Sequence, residues 1–157
     1  MKSRVYLETT IPSYLTSRPS RDLIIAGHQA LTREWWEKRR EAFQLFISQL
    51  VVDEVSAGDP IAAGERLKVL RDIPLLDITP EVAELASSIL SSGIIPRKAA
   101  TDAAHIAIAA QHGMDFLVTW NCAHIANAAI AKALALICRE HGCECPVICT
   151  PEELWGE

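Results

Sequence analysis

No apolar run in the sequence approaches the length needed to span a bilayer. The opening residues, Met1-Lys2-Ser3-Arg4-Val5-Tyr6-Leu7-Glu8, lack the apolar stretch of a secretory leader. Both absences point to a cytoplasmic protein with no membrane partner. There is no G-x-G-x-x-G and no G-x-x-x-x-G-K-[ST], so neither a dinucleotide nor a P-loop nucleotide is indicated. Internal repeats, low-complexity segments and linkers are also missing. Basic residues are not in excess: the net charge of −5 argues against a broad nucleic-acid-binding face that works by counterion release. It leaves open an enzyme that meets nucleic acid through bound cations, because acidic residues then belong to the site itself. The cysteine count is odd, at five, with Cys138, Cys143, Cys145 and Cys149 crowded near the end. Cys143-Glu144-Cys145 has neither of the usual zinc spacings, although His141 is close. Reduced thiols are expected in a cytosolic chain, with a structural metal clip as the alternative.

What is present is enough for one domain, residues 1–157, of which half are hydrophobic. Arg4–Leu7 is β-prone, and Pro12 stops that strand from continuing centrally. Ser20–Arg40 has helical periodicity, with Ser20 as an N-cap signal, and Trp35-Trp36 cannot both face the core. The apolar surface implied by Leu31 and this Trp pair is the expected contact for a partner or second subunit. Phe43–Ser48 reads as a second strand, followed by a short helix to Gly58 and another from Asp59-Pro60 to Asp72. Leu75–Ile78 is a third strand, and Thr79-Pro80-Glu81 is a helix start with cap and proline in place. A helix from Ala100 to a stop at Gly113 leads into a fourth strand, Phe116–Thr119. Asn127–His141 is another helix, and Pro146–Cys149 a last strand. Strands alternating with helices throughout predict a mostly parallel sheet between two helical layers, a three-layer α/β/α sandwich.

In such a sheet, ligands bind beyond the carboxyl ends of the strands. Glu8 stands just past the first strand, Glu54 shortly beyond the second, Asp102 at the start of the helix before the fourth, and Asn121 just past the fourth. Each has an ordinary alternative. Glu8 could be an exposed strand-end acid, and Thr101 or Asp102 could cap its own helix. Three unpaired carboxylates in one pocket would repel, so a cation is their natural partner. Oxygen ligands without cysteine or histidine point to Mg²⁺ or Mn²⁺, and phosphodiester hydrolysis is the chemistry such a site supports. Around it, Asp53 reads as solvated. His105 could bond Asp102 or be a satisfied core histidine, and His124 could line the pocket. Asn127 could do the same or cap the next helix. Arg97 and Lys98 could grip a phosphate or form a basic loop in water.

At V-Y-L-E-T-T, I-S-Q-L-V-V-D-E-V, A-T-D-A-A-H-I-A-I-A-A and F-L-V-T-W-N the sequence resembles the PIN-domain nucleases, in particular stand-alone toxins of VapBC type. The resemblance spans nearly the whole chain and rests on the order and spacing of these segments together. It implies a PIN-like fold and an Mg²⁺- or Mn²⁺-dependent endoribonuclease acting on RNA, often a homodimer and often silenced by a co-expressed antitoxin. Glu8, Glu54 and Asp102 match the three core acids that hold the metal. Asn121 falls at the fourth, more variable acidic position, and Thr9 matches the hydroxyl residue that follows the first acid. Two departures stand out. Glu8 replaces the usual Asp and is one methylene longer. Asn121 is neutral and offers only a carbonyl oxygen or an amide donor. They give weight to a rival, a catalytically weak PIN-like protein that acts by binding a partner or nucleic acid. A third reading is an interaction protein whose acids are only caps and strand ends.

Overall fold

The computed structural model describes residues 1–155. Five strands form one sheet: β1 (Ser3–Leu7), β2 (Phe43–Ser48), β3 (Leu75–Leu76), β4 (Phe116–Val118) and β5 (Val147–Cys149). Every pairing is parallel and the order is β3-β2-β1-β4-β5. Seven α-helices connect them: α1 (Thr10–Thr16), α2 (Leu23–Arg39), α3 (Gln49–Val55), α4 (Pro60–Leu70), α5 (Pro80–Ser91), α6 (Ala100–Gln111) and α7 (Ala131–Glu140).

The chain steps from β1 to β2 to β3 in one direction, then returns past β1 to β4 and β5. Right-handed crossovers therefore lay α1–α4 on one face and α5–α7 on the other. This is the expected three-layer α/β/α sandwich with a parallel sheet. The direction reverses between β1 and β4, which opens the crevice where ligands of such sheets bind. Among the described residues no helix is long and apolar enough to cross a membrane.

Local chemistry explains most element boundaries. Asp59 and Thr79 accept the N–H groups of Ala62 and Val82, with Pro60 and Pro80 in the first turn. Gly113, at φ +66°, supplies the left-handed residue that closes α6. Other boundaries correct the sequence-based expectation. The cap of α2 is Asp22, not Ser20: its Oδ1 accepts from Ile24 N and Ile25 N at 2.9 and 3.1 Å. A helix, α1, occupies the segment where only a strand stop was expected. Pro12 falls in its first turn, where the missing N–H would have had no helical partner in any case. The third strand has two residues rather than four. A 3-10 turn, Ala128–Ile130, precedes α7, which therefore starts at Ala131 rather than Asn127.

The α6 sequence is buried from Ala103 to Ala110 apart from the half-exposed Ala104, and it lies between α5 and the sheet. On the other face Trp35 is fully buried, stacks on Phe43 and donates from Nε1 to Leu154 O at 2.7 Å. That bond ties the C-terminal turn to α2. Trp35→Phe should cost about 2–3 kcal/mol, from the lost volume and the carbonyl left unpaired. A lower urea midpoint at unchanged m would show it. Trp36 is half-buried under Arg40, whose guanidinium lies 5.1 Å from its ring. The exposed apolar side chains are therefore not those expected from the Trp pair. They include Leu23 and Ile24 at the start of α2 and Ile61 at the start of α4, with Leu75, Ile78, Leu136 and Val147 exposed elsewhere. All five cysteines are free thiols, and Cys143 Sγ donates to Cys138 O at 3.3 Å.

Candidate functional site

Glu8 sits in the crevice between β1 and β4. The register pairs Leu7 with Val118, so the next residues, Glu8 and Thr119, are neighbours across the carboxyl edge. Glu8 is only 4% exposed. Its Oε1 accepts from Thr10 Oγ1 at 2.6 Å, Thr119 Oγ1 at 2.7 Å and Thr10 N at 3.0 Å. Three donors on one oxygen fix the orientation of the carboxylate. Oε2 accepts from none of the described residues. It is also not sealed from water, since among the described residues the one buried side-chain polar atom without a partner is Arg39 Nε.

Glu54 comes from α3, six residues beyond the end of β2. Its Oε1 accepts from Thr9 Oγ1 at 2.8 Å and from His105 Nε2 at 2.6 Å. Partial burial alone would raise its pKa. The hydrogen bonds from His105 and Thr9 outweigh that and hold the carboxyl below its ordinary 4.5. Behind His105 lies a buried chain: Nδ1 meets Tyr6 OH at 2.6 Å, and Tyr6 OH meets Ser48 Oγ at 2.7 Å. Burial first, with Glu8 and Glu54 adding to it against the Ser48 bond, pushes the Tyr6 phenol far up, so it keeps its proton. One arrangement satisfies every atom with a neutral ring. Ser48 donates to Tyr6, Tyr6 to His105 Nδ1, and His105 Nε2–H to the Glu54 carboxylate.

Asp102 stands in the first turn of α6, as expected, but caps nothing. The N-cap position belongs to Ala99, at the end of a 3-10 turn (Arg97–Ala99), and no side chain caps it. The Asp102 carboxylate turns instead to His124, whose Nδ1 lies 3.1 Å from Oδ2. Oδ1 has no partner among the described residues. His105 bonds Glu54, not Asp102, because α6 turns its ring inward, with Nδ1 on Tyr6 OH and Nε2 on Glu54. Asn121 follows Thr119 by two residues. Its Oδ1 accepts from His124 N at 3.0 Å, and its own N–H donates to Thr119 Oγ1 at 2.9 Å. It thereby shapes the loop that carries His124. Asn127 takes the capping role, accepting from Ala129 N at 3.0 Å. Arg97 and Lys98 are exposed on the 3-10 turn leading into α6. Asp53 is exposed and bonded by Gln49.

One pattern recurs in all three acids. One oxygen is held by protein donors and the other is open. Histidine enters twice: His105, expected to bond Asp102 or to be a satisfied core residue, is the partner of Glu54, and His124, expected to line the pocket, is the partner of Asp102. Thr10, Thr119, Tyr6 and Ser48 were missed. Only Thr10, two residues from Glu8, carries a local signal; the others meet the acids through strand register.

Among the described residues no three His, Cys, Asp or Glu side chains are grouped so as to hold an ion between them. The donor chemistry still fits a hard divalent cation, because Glu8 Oε2 and Asp102 Oδ1 are open anionic oxygens. Mg²⁺ keeps several waters and is held through one or two carboxylates with substrate phosphate, so a closed protein cage is not required. A groove of about 500 Å³ between α7 and β5, lined by Leu134, Pro146, Val147 and Glu153 among others, contains none of the three acids. Its walls are mostly apolar, which suits neither a cation nor a phosphate.

The chain has no match among curated proteins. Residues 6–130, a span that holds Glu8, Glu54, Asp102 and Asn121, match the family model for the PIN domain; the chain belongs to the PIN-domain family, whose members are generally metal-dependent nucleases.

Proposed function

We propose that this chain is an Mg²⁺- or Mn²⁺-dependent endoribonuclease and the toxin of a toxin–antitoxin pair. The observation that carries the nuclease reading is Glu8. It is a nearly buried carboxylate at the β1–β4 crevice, with one oxygen fixed by three donors and the other left open. Burying an acid in this way is costly without a counter-charge to serve.

Glu8 and Asp102 would hold the cation, with Glu54 supporting them, and a divalent ion there would lower the pKa of a water and offset charge on the phosphorane-like transition state. The chain's own residues do the rest. Thr10 and Thr119 fix the Glu8 carboxylate. Thr9 and His105 orient Glu54, with the ring set in turn by Tyr6 and Ser48. His124 balances Asp102 through Nδ1. Asn121 supports it by holding the His124 backbone, a positioning role that needs no negative charge. Arg97 and Lys98, exposed just before Asp102, steer the RNA backbone. The exposed Leu23, Ile24 and Ile61 are the apolar surface that an antitoxin or a second copy in a homodimer would cover.

A second reading is supported by the same geometry. Oε1 of Glu54 and Oδ1 of Asn121 are already committed within the protein. That would suit a catalytically weak PIN-like protein that binds nucleic acid or a partner. Cleavage of a labelled single-stranded RNA, with Mg²⁺, with Mn²⁺ and with chelator, separates the two. Metal-dependent internal cuts are the expected result. Saturable Mn²⁺ binding by calorimetry without any cutting would establish the weaker role, and no ion binding at all would remove the nuclease reading.

A further inference from the structure

Beside the acids, the carboxyl end of β4 carries a second feature that the metal-site chemistry does not use. Thr119 N still donates to Cys149 O at 3.0 Å, so strand geometry persists past Val118. Successive side chains there point to opposite faces. Thr119 turns toward Glu8. Trp120 turns the other way, toward α1 and α2, where its Nε1 donates to Thr32 Oγ1 at 2.7 Å. Two rings lie nearly parallel to its indole. His28 of α2 is at 4.0 Å between centroids and 10° between planes, and Tyr14 of α1 is at 6.3 Å and 14°.

Trp120 itself is buried, at 8% exposure, whereas His28 and Tyr14 are half-buried. Neither the His28 ring nitrogens nor Tyr14 OH bonds any described residue, and none of these atoms is sealed from water. A ring stack buried only for packing would normally pair or hide its polar edges. This one leaves two polar edges facing solvent. It is also joined to the acids through a single hydroxyl: Thr10 Oγ1 accepts from Trp120 N at 2.9 Å and donates to Glu8 Oε1 at 2.6 Å. Thr10 thus joins the backbone of Trp120, whose side chain carries the stack, to the Glu8 carboxylate.

We infer that Tyr14, Trp120 and His28 form a nucleobase subsite: an unpaired base of a single strand stacks on the outer surface of His28 and Tyr14 while its neighbouring phosphate lies at Glu8. This rests on the nuclease reading and adds to it how the substrate is gripped. Stacking tolerates any base, because every base has a π-face, and it requires the base to be free of a duplex. His28 Nε2 or Nδ1 and Tyr14 OH meet the edge of the base, so the subsite favours single-stranded substrate without needing a basic surface. That agrees with a chain of net charge −5.

The test is binding of a short fluorescent oligoadenylate to the full chain in chelator, by anisotropy, beside a strand of the same length with abasic riboses. Wild type should bind the base-bearing strand roughly 5- to 100-fold more tightly than the abasic one. His28→Ala should lose most of that preference, and His28→Phe, which keeps a ring face, should restore it. On the abasic strand His28→Ala and wild type should be alike. Equal affinity of wild type for the two strands overturns the inference without any mutation. So does a His28→Ala variant that weakens both strands equally, since that is a structural effect. If RNA is cut with Mg²⁺ but base preference is absent, the subsite falls and the nuclease stands. If wild type neither binds nor cuts RNA, both fall together.

Discussion

Asp102→Asn should lower RNA cleavage by about 10²-fold or more while leaving the protein folded. Removing a group that only orients a metal ligand typically costs 10–100-fold in affinity or activity, and a ligand itself should cost no less. The substitution keeps the shape and removes the charge. Its structural cost is small for three reasons. The carboxylate has a single partner, His124 at 3.1 Å. It caps no backbone N–H, so no helix donor is stranded. The favourable term lost at the positive end of α6 is about 0.3–1 kcal/mol. The melting temperature should therefore barely move, and Mn²⁺ affinity should fall with activity. Wild-type Mn²⁺ affinity in the variant would return Asp102 to a structural role, despite its failure to cap.

Why the place of Asp102 in its helix was legible in the sequence and the partner of His105 was not comes down to the range of the contacts. The α/β order follows from local signals: Thr79-Pro80, Asp59-Pro60 and Gly113 each punctuate the chain within a few residues. Given that order, connection handedness fixes which ends of the strands share an edge, and Glu8 and Asp102 follow. The capping alternative failed because it assumed that the nearest donors would claim the Asp102 carboxylate. The α6 start is instead approached through the Arg97–Ala99 turn, and His124, 22 residues on, takes it. The α1 helix was hidden by Pro12, read as a strand breaker when in the first helical turn it breaks nothing. The Tyr6–His105 pair spans 99 residues and Thr119–Glu8 spans 111. Such partners depend on the register of β1 against β2 and β4, which one sequence does not contain. The same holds for Trp120 and His28, whose stacking needs α2 to lie along the carboxyl edge.

His105→Leu carries the other large effect, on stability as well as activity. Leucine fills much of the same buried space but makes neither hydrogen bond. Tyr6 OH is left with Ser48 alone, and Glu54 with Thr9 alone. Losing one neutral and one charge-assisted bond from a fully buried chain should cost about 2–4 kcal/mol near pH 7. The pH dependence identifies the cause. Glu54 lies below its ordinary 4.5 in the folded protein. A depressed acid contributes stability that is present above its unfolded pKa and lost as pH falls through the folded one. In His105→Leu the main cause of that depression is gone while partial burial remains, so Glu54 titrates higher. The stability gap between wild type and variant should then narrow as pH drops below about 4.5, where the carboxylate takes up its proton. Urea unfolding at neutral pH and at successively lower pH measures the gap. A gap that stays constant would assign the loss to packing and remove His105 from any role in holding the charge. Activity should fall about 10- to 100-fold at neutral pH, the usual effect of freeing a ligand from its supporting partner. Thr9→Val, which removes the other bond to the same oxygen at a more exposed position, should show the same trend at smaller size. The ordering of the two variants therefore tests whether the buried ring, rather than the surface hydroxyl, sets the orientation of Glu54.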